Sequence, residues 1–318
     1  MTCPRRLLSP LAMALALIVA AAGPARAGQV ALTFDDLPGL SLVDDQAYAD
    51  DFNSRLLHTL RRRHIPAVGF VIGQELGEPA EPRLIARVNA WLAAGMALGN
   101  HTFSHESPET LGTLGYVADL AQGDAAIRPL LAARGQVPRW FRHPYLETGA
   151  TAARKRAVDG WLARHGYRVA PVTIDASDWE FAEPYDDALA HGDAARARRI
   201  QAQYLAYTAQ RIAWARKASR ALFGRQIAHV MLLHDTRLNA DCLDRVLGLL
   251  RQAGLKPVTL QQALLDPAYR TADRHVGSDG PDWLDRWAET LHKPLPEGDD
   301  DPPANIQAEY DKVDSDRR

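Results

Sequence analysis

Two adjacent carboxylates follow an apolar run near the start of the chain. The segment QVALTFDDLPG, residues 29–39, places Asp35 and Asp36 directly after a stretch suited to a buried strand. Because neighbouring side chains on a strand point in different directions, one carboxylate could bind a metal ion while the other transfers a proton. Asp residues also begin turns and helices, so a capping role stays open as an alternative here.

A pair of histidines forms the second group. In GNHTFSH, residues 99–105, His101 and His105 are four residues apart. This spacing can place both rings on one side of a helical turn, and it is common in metal-binding sequences. Two histidines and one carboxylate leave one position on Zn²⁺ open for water, as a catalytic site requires. Two unrelated surface histidines would give the same spacing.

A third group, WFRHPY at residues 140–145, combines an arginine with a rigid turn. Arg142 would end an apolar strand, where its charge needs a carboxylate partner, and Asp35 is a natural candidate. Pro144 fixes the backbone, so the amide N–H of Tyr145 could be held as a donor to an oxyanion. An ion pair of purely structural value is the alternative.

Two more groups lie in the second half of the chain. TIDASDW, residues 173–179, offers two carboxylates and Trp179 at the end of a predicted strand. MLLHD, residues 231–235, ends another strongly apolar strand with His234. A histidine beside a carboxylate suits general acid work near neutral pH, although a single histidine is more often structural.

Each group follows a stretch that the sequence predicts to be a strand. The predicted strands lie at residues 30–34, 67–72, 97–99, 139–142, 168–174, 227–234 and 256–260. Amphipathic helices are predicted between them, at residues 46–63, 83–94, 116–134, 150–165 and 241–252. This alternation predicts a parallel α/β sheet with crossover helices. About seven strands in one domain favour a closed or nearly closed barrel, whose active sites lie at the C-terminal ends of the strands.

One long segment, residues 183–225, interrupts the alternation. On a helical period its apolar residues, such as Ile200 and Tyr204, fall on one half, and its basic residues, such as Arg199 and Arg220, fall on the other. We therefore predict an extra helical insertion on the barrel rim with a solvated basic face. It could be a lid, a surface for an anionic polymer, or a packed accessory helix.

The composition bounds the class of protein. With 37 basic and 39 acidic residues the net charge is −2, which gives no support for nucleic-acid binding. After residue 27 the only cysteine is Cys242, which argues against internal disulfides and thiolate metal sites. A metal ion would therefore be held by histidine and carboxylate.

The two ends differ from the middle. Two arginines, an apolar run at residues 11–22 and a small-residue site at residues 25–27 predict a signal peptide over residues 1–27. The mature protein would then be periplasmic or secreted, without stable membrane insertion; an uncleaved anchor is the alternative. We expect residues 266–293 to pack on the barrel as an extension, and the acidic residues 294–318 to form a disordered tail.

Taken in order, the five groups resemble the five motifs of the polysaccharide deacetylase family, the NodB-homology domains of carbohydrate esterase family 4. The matching residues read TFDD, H-x-x-x-H, R-x-P-Y, D-x-x-D-W and L-x-H. The likeness extends over roughly residues 29–265, within a predicted catalytic domain of residues 28–265. It implies a distorted (β/α) barrel of about seven strands, a divalent metal ion that is usually zinc, and an acetylated polysaccharide as substrate.

The resemblance also implies roles for individual residues. Asp36, His101 and His105 would hold the metal ion. Asp35 would be the general base, and Arg142 would orient it.

The remaining motif positions would complete the reaction site. The amide of Tyr145 would help to bind the oxyanion. His234 would be the general acid, tuned by Asp178, and Trp179 and Leu232 would line the pocket for the acetyl methyl group.

This sequence departs from the family pattern at two turns. Leu37-Pro38-Gly39 follows the first motif where Gly-Pro is usual, and Leu146 follows Tyr145 where Gly is frequent. We expect a metal-dependent hydrolase that removes N-acetyl groups from an extracytoplasmic glycan, which could be chitin-like, peptidoglycan or an exopolysaccharide. The alternatives are an O-acetyl esterase with the same site and a catalytically silent glycan-binding protein.

Overall fold

The computed structural model describes residues 28–77, 81–298 and 301–314. The predicted signal peptide, residues 1–27, lies outside these ranges. Among the described residues, none of the helices has the length and apolar character needed to span a bilayer.

The described residues form seven strands in one all-parallel sheet. The strands are β1 (Gly28–Leu37), β2 (Ala67–Val71), β3 (Ala97–Asn100), β4 (Trp140–Phe141), β5 (Arg168–Val169), β6 (His229–His234) and β7 (Leu255–Pro257). Their order is β5-β4-β3-β2-β1-β6, and β7 pairs with the first residues of β1. The long central strand β1 is buried along most of its length, which explains its nearly continuous apolar sequence.

The two edges of the sheet meet beyond β5. Ile174 forms a parallel bridge with Met231 of β6, and the N–H of Leu232 donates to the Ile174 carbonyl at 3.0 Å. The segment that follows β5 therefore closes the sheet against β6. This arrangement confirms the predicted distorted (β/α) barrel.

Ten helices in the described residues surround the sheet. They are α1 (Gln46–Arg62), α2 (Pro82–Ala93), α3 (Pro108–Ala132), α4 (Ala152–Arg164), α5 (Asp178–Ala190), α6 (Ala194–Phe223), α7 (Arg237–Gln252), α8 (Leu260–Ala263), α9 (Trp283–Leu291) and α10 (Ala304–Val313). Short 3₁₀ turns lie at Gln74–Leu76, Pro144–Leu146 and Pro267–Arg270. The first turn of α3 was not predicted: Ser107 caps it and Pro108 occupies its first position. The backbone at Gly112 is not helical (φ 66°, ψ 174°), and it separates this turn from the helix that the sequence predicted.

The insertion predicted at residues 183–225 corresponds to the end of α5 and to α6. Helix α6 packs against α5, α7 and α9, with Ile200 and Tyr204 fully buried and Arg199 and Arg220 exposed. The predicted division between an apolar and a basic face is therefore present. The extent of burial favours the packed accessory helix over a lid.

The C-terminal segments also pack on the barrel. Trp283 and Trp287 of α9 are buried, and the Trp283 N–H donates to the Val172 carbonyl at 2.8 Å. The prediction of a disordered tail was wrong for residues 304–313, which form α10 with Ile306 fully buried. The acidic residues taken as a sign of disorder include Glu309, which pairs with the basic side of α6.

Candidate active site

Three of the predicted site residues meet at the C-terminal end of the barrel strands. Asp36, His101 and His105 offer ligand atoms that all lie within 4.8 Å of one another. The Nε2 atoms of His101 and His105 are 3.5 and 3.4 Å from Asp36 Oδ1. We call these three residues the ligand cluster, since two imidazoles and one carboxylate are a donor set that suits Zn²⁺.

The protonation states of the ligand cluster fit a bound cation. His101 Nδ1 lies 2.9 Å from the Arg142 carbonyl, an acceptor, so Nδ1 carries the proton and Nε2 offers its lone pair. Burial lowers the pKa of His105 to about 4, which keeps that ring neutral at pH 7. Burial alone would raise the pKa of Asp36, but the nearby histidines outweigh it and hold the pKa below its usual value. Asp36 Oδ1 is buried without a hydrogen-bond donor among the described residues.

The two histidines are brought together by a turn that is not helical. Residues 101–107 lie in a loop after β3, and Thr102 and His105 have φ angles of 65° and 61°. Asn100 Oδ1 accepts the Thr102 N–H at 2.8 Å, and Asp119 of α3 accepts the next two N–H groups. The helical turn that the spacing suggested is therefore replaced by a loop held by a buried amide and a buried carboxylate.

Asp35 and Arg142 form the buried pair that the sequence suggested. Arg142 Nη1 lies 3.2 and 3.0 Å from the two carboxylate oxygens of Asp35, and both residues are at most 3% exposed. Arg142 also donates to Thr33 Oγ1 at 2.9 Å and to the Ala170 carbonyl at 2.8 Å. Asp35 Oδ2 lies 3.6 Å from His101 Nε2, so this pair borders the ligand cluster.

His234 and Asp178 border the ligand cluster on another side. His234 Nδ1 lies 2.8 Å from Asp178 Oδ1, and the His234 N–H donates to Asp178 Oδ2 at 2.8 Å. Burial alone would lower the pKa of His234, but the Asp178 carboxylate outweighs it and raises the pKa to about 10. His234 Nε2 lies 3.8 Å from Asp36 Oδ2, so the free ring nitrogen is directed toward the ligand cluster.

The other predicted residues lie at different places around this centre. Tyr145 is half exposed, and its ring contacts the His105 ring with centroids 4.8 Å apart. Leu232 is buried two residues before His234, so both side chains leave β6 on the same face. Trp179 follows Asp178, but its ring packs edge to face on Tyr310 of α10 at 5.0 Å. The tail helix therefore covers part of Trp179, which the sequence did not indicate.

Several supporting residues were missed by sequence reasoning. Asn239 of α7 donates to the His234 carbonyl at 2.8 Å and to the Asp178 carboxylate. Thr33 accepts from Arg142 and donates to the Met231 carbonyl at 2.7 Å. Thr33 is the first residue of the TFDD motif and could have been noticed as a polar residue in an apolar strand. Asn239 carries no such signal, because its role depends on how α7 packs.

Sequence comparisons relate the chain to known deacetylases. Residues 22–169 match the family model described as polysaccharide deacetylase. The chain is 32% identical to a chitin deacetylase from a Pestalotiopsis species over 151 residues, which cover 47% of this chain and 43% of the relative. It is 26% identical to a Bacillus cereus peptidoglycan-N-acetylglucosamine deacetylase over 160 residues, covering 50% and 49%. The chain spans about half the length of the curated relatives it matches.

Solved structures show a similar fold. The chitin deacetylase from the fungal pathogen Colletotrichum lindemuthianum superposes with a TM-score of 0.52 at 20% identity, covering 76% of this chain and 90% of that one. A polysaccharide deacetylase from Bacillus cereus gives a TM-score of 0.51 at 21% identity, covering 73% and 91%. These likenesses show the fold alone. The family model and the ordered motifs show in addition that the chain carries a polysaccharide deacetylase domain, matched over residues 22–169.

Proposed function

We propose that this protein is a metal-dependent hydrolase that removes N-acetyl groups from a glycan outside the cytoplasm. The observation that supports it best is the position of two residue pairs around the ligand cluster. The Asp35–Arg142 pair and the His234–Asp178 pair both border the cluster, so a proton acceptor and a proton donor flank one metal-binding position.

The ligand cluster would hold the metal ion. Its two imidazoles and one carboxylate favour Zn²⁺ among the common divalent cations. When bound, the ion would supply Lewis acidity that polarises the acetyl carbonyl and makes water a better nucleophile.

Asp35 acts as the base in this proposal. Its carboxylate is held in place by Arg142 through both oxygens, so its orientation is fixed before substrate binds. Asp35 takes a proton from the water that attacks the acetyl carbon. The backbone N–H of Tyr145 donates a hydrogen bond to the oxygen that becomes negative in the transition state.

His234 completes the reaction as the acid. An amine is a poor leaving group unless it is protonated, and His234 held by Asp178 carries the required proton near neutral pH. Leu232 and Trp179 would shape the pocket for the acetyl methyl group, with Trp179 also supported by the tail helix.

The names of the relatives support an N-acetylated glycan as substrate. Two matched proteins are named chitin deacetylase and one is named peptidoglycan-N-acetylglucosamine deacetylase. A substrate with N-acetylglucosamine units is common to these names. The signal peptide predicted from residues 1–27 supports export to the periplasm or the exterior.

Acetate release by the purified protein tests this proposal. Protein stripped with a chelator and reloaded with zinc would be assayed on chitin oligosaccharides, peptidoglycan and an O-acetylated xylan. We expect zinc-dependent acetate release from at least one N-acetylated glycan. Release from the O-acetylated polymer alone would identify an esterase. Glycan binding without release from any polymer would identify a silent binding protein.

A further inference from the structure

The turn that carries Tyr145 has an unfavourable backbone conformation. Tyr145 and Leu146 both have positive φ angles, 52° and 57°, a region that residues other than Gly rarely occupy. Two such residues in succession persist only where the surrounding structure holds them. This turn therefore needs contacts from other parts of the chain to hold it.

Arg286 of α9 supplies a direct contact to that turn. Its Nη2 donates to the Leu146 carbonyl at 2.6 Å, and its Nη1 donates to Thr148 Oγ1 at 3.1 Å and to Asp273 Oδ2 at 3.2 Å. Its Nε donates to the Pro281 carbonyl at 2.8 Å. Arg286 is fully buried. These four acceptors fix the orientation of its guanidinium.

The same extension contacts the turn at two further places. The Tyr145 carbonyl lies against Gly280, where a Cβ atom would come within 1.8 Å of the oxygen. Gly149 and Gly277 form an antiparallel bridge. Residues 273–286 therefore hold the turn through a charged hydrogen bond, a close backbone contact and a backbone bridge.

We infer that Arg286 is a positioning residue for the reaction, acting through the Tyr145–Leu146 turn. The inference rests on the proposed function in one respect, namely the use of the Tyr145 amide as an oxyanion donor. Tyr145 also touches the ligand cluster through the ring of His105. The extension at residues 266–293 is then part of the catalytic unit, although the family match ends at residue 169.

Arg286→Lys tests this inference, because a lysine cannot reproduce four directed bonds. Amide hydrogen exchange of the segment 144–149 would be measured by mass spectrometry beside acetate release, with zinc content determined for each sample. We expect full zinc content, faster exchange in this segment, and a fall of roughly 10- to 100-fold in kcat with little change in KM. Unchanged exchange in this segment would overturn the inference.

A matched control separates positioning from general stability. Arg87 is another buried arginine that donates to a backbone carbonyl, that of Pro38, and to a carboxylate. Arg87→Lys should leave the exchange of segment 144–149 unchanged. Equal acceleration of this segment in both variants would show that Arg286 contributes only to overall stability. If Arg286→Lys does not fold, Asp273→Asn removes the charged partner of Arg286 and should give a smaller effect in the same segment.

A second substitution tests the route of action. Leu146→Gly removes the conformational penalty at that position, so Arg286→Lys should lower kcat by less than about threefold in that background. An equal loss in both backgrounds would show that Arg286 does not act through the turn. Arg286→Lys could also speed the exchange of segment 144–149 in a protein that releases no acetate from any glycan. This result would support the structural role of Arg286 and would refute the proposed function.

Discussion

Asp35 and His234 lie opposite each other in the register between β1 and β6. The proposed base and the proposed acid are therefore fixed by the pairing of two neighbouring parallel strands. Their separation depends on backbone hydrogen bonds in the centre of the barrel and not on flexible loops. Such rigid placement is what acid–base catalysis at a single carbon requires.

Asn substitutions at Asp35 and Asp36 should separate the roles of these adjacent residues. Asp36→Asn removes the charge from the ligand cluster, so metal content and activity should both collapse. Asp35→Asn should keep the metal ion but remove the proton acceptor, with a loss of roughly 10²–10⁴-fold in rate. Metal stoichiometry and acetate release with and without excess zinc check both expectations. The assignment would be reversed if Asp35→Asn lost the metal ion and Asp36→Asn retained it.

His234→Ala should slow amide hydrolysis more than ester hydrolysis. An amine must be protonated to leave, whereas the alkoxide of an activated ester leaves readily. We expect a loss of roughly 10²–10⁴-fold on an N-acetylated glycan and a much smaller loss on an activated acetyl ester. The measurement is kcat on both substrates at equal zinc content. Equal losses on both substrates would indicate that His234 is only structural.

Asp178→Asn should move the basic limb of the pH–rate profile to lower pH. Burial lowers the pKa of His234, but three carboxylates, those of Asp178, Asp36 and Asp35, raise it to about 10. Asp178 is the main contributor among them. An acid works only while protonated, so activity is lost as pH rises through that pKa. Without the carboxylate the loss begins at lower pH. A profile of kcat against pH with an unmoved basic limb would contradict the role of Asp178.

Thr33→Val should reduce both stability and activity. The substitution keeps the shape of the side chain but leaves Arg142 Nη2 without its acceptor in a fully buried position, at a cost of about 1–3 kcal/mol in unfolding free energy. Thr208→Val is a matched control, because this buried hydroxyl donates to the Tyr204 carbonyl within α6. Denaturant unfolding and acetate release of both variants check the expectation. A rate loss in the control equal to that in Thr33→Val would refute a specific link to Arg142.

The strand ends and the residues on them could be predicted from the sequence. Apolar runs that end in charge mark buried parallel strands, so the positions of Asp35, Arg142 and His234 followed from local pattern and from the family motifs. The pairing of Arg142 with Asp35 was also predictable, since a buried charge needs a partner.

Contacts between distant segments could not be predicted in the same way. Asn239 supports Asp178 only because α7 packs beside β6, and Arg286 reaches Leu146 across 140 residues of chain. The tail helix escaped prediction for a related reason. Its acidic residues resemble a disordered segment until the basic side of α6 is present to pair with Glu309.

The barrel closes where the segment after β5 meets β6, and this closure has a consequence for motion within the barrel. Strands β4 and β5 have two residues each, and the closing bridge at Ile174 is isolated. This side should open locally before β1 separates from its neighbours, since local opening begins where few backbone pairs must break. Asp178 lies just beyond this bridge, whereas Asp36, His101 and His105 lie at or after the ends of β1 and β3. Local thermal opening of the barrel would therefore displace the proposed proton donor first, while the ligand cluster stays in place.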